Sequence, residues 1–241
     1  MIKFFRRIRY DLVGGNKAGK YLKYAAGEII LVVIGILIAL QINNWNDIRK
    51  NQRKEKTILS AIHNEFTINK TQLDSVAFYH KLALKGCDNL ISMFPIDIEK
   101  NNLDTIAKHL ENITQSWTFN PSQSSIVGLI NSSSIDIIRN DELRKLLMSW
   151  QDLLLDYQED ELISRTVIYT NFDELMIGKL DFNFNFKDHR YDLSILESLE
   201  LEYLLYLRRG TLENILNDGQ YETLEFCLDR IIELTKPDKQ K

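Results

Sequence analysis

Apolar and polar positions divide the chain into one short continuous apolar stretch and a long remainder with helical periodicity. The stretch is the run 29–40, set in EIILVVIGILIALQINNW. Twelve apolar residues rise only ~18 Å as a helix, short of the ~30 Å hydrocarbon core of a bilayer. The flanks supply the difference. Ala25, Ala26 and Gly27 precede the run, Gln41 and Ile42 follow it, and Tyr24 and Trp45 stand where an aromatic belt would, roughly 31 Å apart along a helix. Residues 24–45 are therefore expected to form a transmembrane helix that includes Ala25, Gly27, Glu28, Ile29, Gly35, Ala39, Leu40 and Ile42, with Tyr24 and Trp45 as interface anchors. A cleaved signal peptide is the main rival, because a basic stretch before an apolar segment of this length is also its signature. No small-residue pair marks a cleavage site after Leu40, no lipid-attachment cysteine follows, and the basic region is long, so an uncleaved signal anchor is expected. A buried core helix fits less well, because seven basic residues precede the run.

Beyond the span the pattern changes to steps of three and four. From Leu59 the positions Ile62, Phe66, Asn69, Leu73, Val76, His80, Ala83, Cys87, Leu90 and Phe94 trace the seam of a coiled-coil-like helix, which Pro95 stops. No Pro or Gly lies between Gly35 and Gly86, so this helix is expected to run from the membrane to Phe94 as a stalk that enters the domain. Asn69 and His80 interrupt the seam; such residues either fix register and oligomer state or, in an intramolecular bundle, sit at its edge, and the edge is expected here. A shorter helix carries Leu103, Ile106, Leu110, Ile113 and Trp117, followed by a break at 119–122. Asn140 reads as the N-cap of a long helix with Leu143, Leu147, Trp150, Leu154 and Tyr157, with no stop before Gly178. The FNFNF run at 182–186 alternates with period two, as either a short strand or an aromatic loop, and a loop is expected. Two further helices, over 196–207 and 221–234, are punctuated by Gly210 and Gly219. The fold class is all-α: one transmembrane helix continuing into a long helix and a helical bundle. The expected divisions are 1–23 (basic segment), 24–45 (span), 46–95 (long helix), 96–236 (rest of the domain) and 237–241 (tail).

Charge orients the span. Lys3, Arg6, Arg7, Arg9, Lys17, Lys20 and Lys23 precede it against Asp11 alone, while Arg49, Lys50, Arg53, Lys54 and Lys56 follow with Asp47 and Glu55. Seven against five favours a cytoplasmic N-terminus and a periplasmic C-terminal domain. Phe4, Phe5, Ile8 and Leu12 fall on one helical face of the first segment, which can lie on the inner leaflet or serve as a plain basic tail. Residues 57–241 hold 18 basic and 30 acidic residues, a net charge of −12, which argues against nucleic acid as a partner. Leu, Ile and Phe are abundant there and proline is scarce, so the region is expected to fold around a real core.

The string AAGEIILVVIGILIALQINNWND, with the opening MIKFFRRIR and the basic KNQRKEK that follows, resembles the N-terminal signature of a large family of uncharacterised single-span membrane proteins from Bacteroidetes. The pattern LINSSSIDIIRNDELRKLL, within 126–147, is similar to a second, looser feature of that family. The first match covers about the first quarter of the chain. This resemblance implies a Gram-negative inner membrane and a helical periplasmic domain. It implies no activity and transfers no functional residue.

Catalytic chemistry has little to stand on. His63, His80, His109 and His189 show neither HExxH nor a spacing that would face one metal from a helix, and neither a metal nor a cofactor is expected. No GxSxG, Walker loop or GxGxxG occurs. Ser132, Ser133 and Ser134 are expected to break and cap a helix, and Glu159, Asp160 and Glu161 to form a solvated face. Cys87 and Cys227 fall at apolar helix positions, where buried thiols are expected and a disulfide remains the alternative in an oxidising compartment. Glu28, one turn inside Tyr24, either reaches headgroup water or contacts a partner span. Gly27, Gly35 and Ala39 share one stripe, and the pair Gly35 and Ala39 is spaced to seat a second helix.

The chain is therefore expected not to be an enzyme. Two function classes stand. One is a non-enzymatic envelope interaction or scaffolding module whose partners are the lipid bilayer, an unidentified protein, or a second copy through the span or stalk. The other is a periplasmic ligand sensor; with only about 23 residues on the other side, it would signal through a separate membrane partner.

Overall fold

The structure, a computed structural model, describes residues 18–217 and 219–237. Of the basic segment 1–23 only residues 18–23 lie among them, and the side chains of Lys20, Tyr21 and Tyr24 are outside the described set. The chain divides into two compact units, Met1–Lys56 and Thr57–Lys241.

Helix α1, Ala18–Ile91, contributes residues to both units. In the first unit every residue from 26 to 54 is exposed, including the whole apolar run. Helix α1 is long and apolar enough to cross a membrane, and none of its most apolar window is buried. A Cβ added at Gly27 or Gly35 would meet nothing within 4 Å, so that stripe is open.

In the second unit the seam expected on α1 is its buried face: Ile62, Phe66, Leu73, Val76, Ala83, Cys87 and Leu90 are all in the core. The helix ends at Ile91, a turn before Phe94. Helix α2, Leu103–Thr114, starts at an Asn102 cap and buries Ile106, Leu110 and Ile113; Trp117 lies beyond its end. Helix α3, Ser124–Asn131, stops at Ser132, followed by Ser133 in the left-handed region (φ 50°). Helix α4, Asp141–Thr166, begins where Asn140 accepts a hydrogen bond from the Leu143 N–H, as its N-cap position requires. It passes into a π-helical turn, Val167–Phe172, and then helix α5, Asp173–Met176, before Gly178 (φ 79°) ends the run. Residues 182–186 form a loop in which Phe182, Phe184 and Phe186 meet edge to face, and Phe186 also meets Tyr191. Helix α6 is Leu199–Asn217 and helix α7 is Gln220–Leu234. Gly210 does not punctuate: it lies inside α6, where Arg208, Arg209, Leu212 and Glu213 around it are good helix formers. Gly219, with φ 81°, does break the chain between α6 and α7.

Two apolar clusters make up the core. The first joins Ile62 to Ala77 of α1 with α3, the first four turns of α4, the end of α6, and α7, and holds Phe66 edge-on to Trp150 at 4.9 Å. The second joins Ala83 to Leu90 of α1 with α2, the π turn, α5 and most of α6. On α1 the change from one cluster to the other falls at His80, and on α4 at Glu161 and Ser164. Arg208 stands between Leu205 and Leu212 on α6.

Candidate functional site

The polar residues at that junction converge on one stretch of backbone. Between α2 and α3, residues 115–123 have no regular structure, so their N–H and C=O groups lack the partners that a helix supplies itself. Side chains from three helices supply those partners instead. Arg208 Nη2 donates to Gln115 O at 3.2 Å, and its Nε to Ile113 O at 3.3 Å. His80 Nε2 stands 2.9 Å from Trp117 O. The Glu161 carboxyl accepts the Phe119 N–H at 2.8 and 3.1 Å, and Gln158 Nε2 donates to Phe119 O at 2.8 Å. Asn69 bonds Ser122 both ways, at 2.8 and 3.0 Å. Glu65 Oε2 then takes Ser124 Oγ, Ser125 N–H and Ser125 Oγ at the start of α3.

This corrects three expectations. Asn69 and His80 are not edge residues, and Glu161 is not on a solvated face: all three are at most 3 % exposed. Each is buried because an extended strap in a helical bundle leaves buried backbone groups that only a side chain can reach.

Burial sets the electrostatics. It pushes the Glu161 carboxyl up to about 8, against the pull of the Phe119 N–H and the neighbouring Tyr157. It pushes His80 down to about 4, and the Arg208 charge adds to that effect. Near neutral pH His80 is uncharged and Glu161 is mostly protonated, so their 4.0 Å separation is not an ion pair. Since Trp117 O can only accept, the His80 proton sits on Nε2. Arg208 falls to about 10 through desolvation and stays charged. Its partners are carbonyl and hydroxyl oxygens, among them Ser164 O at 2.9 Å and the Ser164 hydroxyl.

On the outer side of the strap the Trp117 side chain is 40 % exposed and stacks on Tyr79 with ring centroids 4.0 Å apart. A shallow groove of about 340 Å³ is lined by Thr114, Gln115, Ser116, Trp117, Tyr169 and Phe182. In the loop after α5, Asp181 takes the Tyr191 hydroxyl, Asp188 pairs with Arg190, and Asp192 caps Ser194. Among the described residues no three His, Cys, Asp or Glu side chains converge to hold a metal. Cys87 and Cys227 are free and buried, and they lie in different clusters; the structure does not bridge them. Burial raises both thiols, Cys87 to about 12 and Cys227 to about 11, which keeps them protonated and unreactive. The expected span residues belong to the first unit.

The strap's partners were visible as polar entries in apolar lanes. Continuing the α4 lane from Tyr157 by steps of four and three reaches Glu161 and Ser164, and the α6 lane runs Leu201, Leu205, Arg208, Leu212, Ile215. Glu161 looked solvated as part of the acidic run 159–161, but in these lanes Glu161, Ser164 and Arg208 are all buried.

A family model described as "Family of unknown function (DUF6090)" matches residues 28–171. The chain belongs to this family. The DUF6090 match takes in the apolar run, α2, α3 and α4, and with them Asn69, His80, Trp117, Gln158 and Glu161. It stops before Arg208, so α6 and α7 lie outside the matched region. No curated protein and no solved structure matches the chain.

Proposed function

We propose that this chain is a single-pass protein of a bacterial inner membrane, with a cytoplasmic N-terminus, and that its helical domain is a non-enzymatic envelope interaction or scaffolding module. The observation that carries the anchoring is the unbroken exposure, among the described residues, of 26–54 around a continuous apolar run. Exposed in water, such a surface far exceeds what soluble monomers tolerate; in lipid it needs no cover. The excess of basic residues before the span supports the orientation, and the resemblance to Bacteroidetes single-span proteins supports the compartment. The domain's buried polar side chains support a structural use, since Asn69, His80, Glu161 and Arg208 are spent on the strap backbone.

A second reading, a periplasmic ligand sensor that signals through a separate membrane partner, draws support from the groove beside Trp117. A ligand there would bear directly on the strap that His80, Glu161 and Arg208 hold. Capture of the tagged, crosslinked protein from native membranes tests the choice. A stoichiometric protein partner held through 57–241 supports the module. No partner, together with a small molecule that co-purifies and is lost on Trp117→Ala, supports the sensor and overturns the module.

A further inference from the structure

The basic residues that follow the span are arranged, not merely present. At about 100° per residue along a helix, Arg49, Arg53 and Lys56 fall within roughly 60° of one another, with Trp45 about 40° from Arg49 on the same side. Adding Lys50 and Lys54 widens the basic arc to only about 160°. Glu55 lies on the other side, and Asp47 borders the far edge of the arc. The side chains of Trp45, Arg49, Lys50, Arg53, Lys54 and Lys56 are all exposed, and the Arg49 guanidinium stands 5.8 Å over the Trp45 ring. A basic flank on this side works against the inside-positive bias that orients the span, so it needs a separate cause.

We propose that Trp45, Arg49, Arg53 and Lys56 form a binding stripe for the phosphate groups of anionic phospholipids in the leaflet where the span ends. The inference rests on the anchoring proposed above. The stripe starts where the apolar run stops, so the groups that must lie beside it in a bilayer are lipid headgroups. Trp45 sets the depth by placing its ring at the headgroup level. Arg49 stays beside that ring, and Arg53 and Lys56, further along the same face, extend their charged ends back toward the headgroups along their apolar stems. Fixed cations on one helical face then hold anionic lipid in place and limit rotation of the helix about its own axis.

The full-length protein, reconstituted in three-to-one phosphatidylcholine and phosphatidylglycerol vesicles, tests this. The readout is the motionally restricted fraction of spin-labelled phosphatidylglycerol relative to spin-labelled phosphatidylcholine. The natural chain should prefer phosphatidylglycerol, and the preference should shrink as salt rises. Arg49→Gln/Arg53→Gln/Lys56→Gln should lower the preference on the order of tenfold at low salt, while Arg49→Lys/Arg53→Lys keeps most of it. Neutralising Lys3, Arg6, Arg7 and Arg9, on the opposite side, should leave the difference between those two variants intact. No preference in the natural chain, or one that survives loss of the stripe, overturns the proposal. Failure of the natural protein to float with the vesicles after alkaline carbonate overturns the anchoring itself, a separate result.

Discussion

Replacing Glu161 with Gln should change how stability depends on pH more than it changes stability itself. Gln keeps a carbonyl oxygen for the Phe119 N–H, the bond made at 2.8 Å, and removes the titration. The carboxyl is held up at about 8 from an ordinary 4.5, so the folded protein keeps a proton that the unfolded chain gives up. A proton bound more tightly in the folded state means stability falls as pH rises through that interval. His80 acts oppositely. Its pKa is pushed down to about 4 from 6.5, so the unfolded chain takes up the extra proton and stability rises with pH up to 6.5. His109, also lowered by burial, acts in the same direction as His80 and within the same acid range. Below pH 6.5 the opposing contributions largely cancel, and between 6.5 and 8 Glu161 acts alone. At about 1.4 kcal/mol per pH unit, the natural chain should lose up to about 2 kcal/mol across that window. Urea unfolding of the detergent-solubilised protein, followed by helical circular dichroism at pH 6.5, 7.2 and 8.0, measures it. Glu161→Gln should flatten the slope. A natural chain with no slope, or a variant that keeps it, would refute the assignment of a protonated carboxyl at the strap.

Arg208→Met should cost about 3 kcal/mol or more, because it strands the carbonyls of Ile113, Gln115 and Ser164, and Arg208→Lys should rescue little, since one ammonium cannot reproduce the fork; denaturant midpoints decide it. Gly210→Ala should stabilise by about 0.5–1 kcal/mol through helix propensity, as the added Cβ meets nothing within 4 Å. Gly86→Ala should fall short of that gain or destabilise in the same melts, because its Cβ would lie 3.1 Å from Ile113 Cγ1 and 3.3 Å from the His109 carbonyl oxygen. In a membrane two-hybrid assay Gly35→Leu should weaken self-association through the open Gly27, Gly35 and Ala39 stripe; an unchanged signal would remove the span from any dimer contact.

The helices were legible because apolar lanes, caps and breakers act locally. The α1 seam, the Asn140 cap and the break at 119–122 needed only neighbours a few residues away. The strap was not legible in the same way. Its partners stand far off in sequence: Asn69 and Ser122 are 53 residues apart, and Arg208 and Ile113 are 95 apart. A polar residue in an apolar lane announces that something buried needs a hydrogen bond, but the lane does not say which backbone group. That is why Asn69 and His80 stood out on their seam, yet Glu161, inside an acidic run, passed as solvated. Gly210 misled for a related reason, since a glycine carries a break only where the backbone turns, as at Gly219 with φ 81°.

The measurement closest to the central claim is membrane topology. Under the proposed topology, alkaline phosphatase fused after Lys241 should be active, and the fusion should stay in the membrane pellet after alkaline carbonate. An inactive fusion with a fluorescent cytoplasmic reporter at the same site would reverse the orientation, and release into the carbonate supernatant would contradict the anchor.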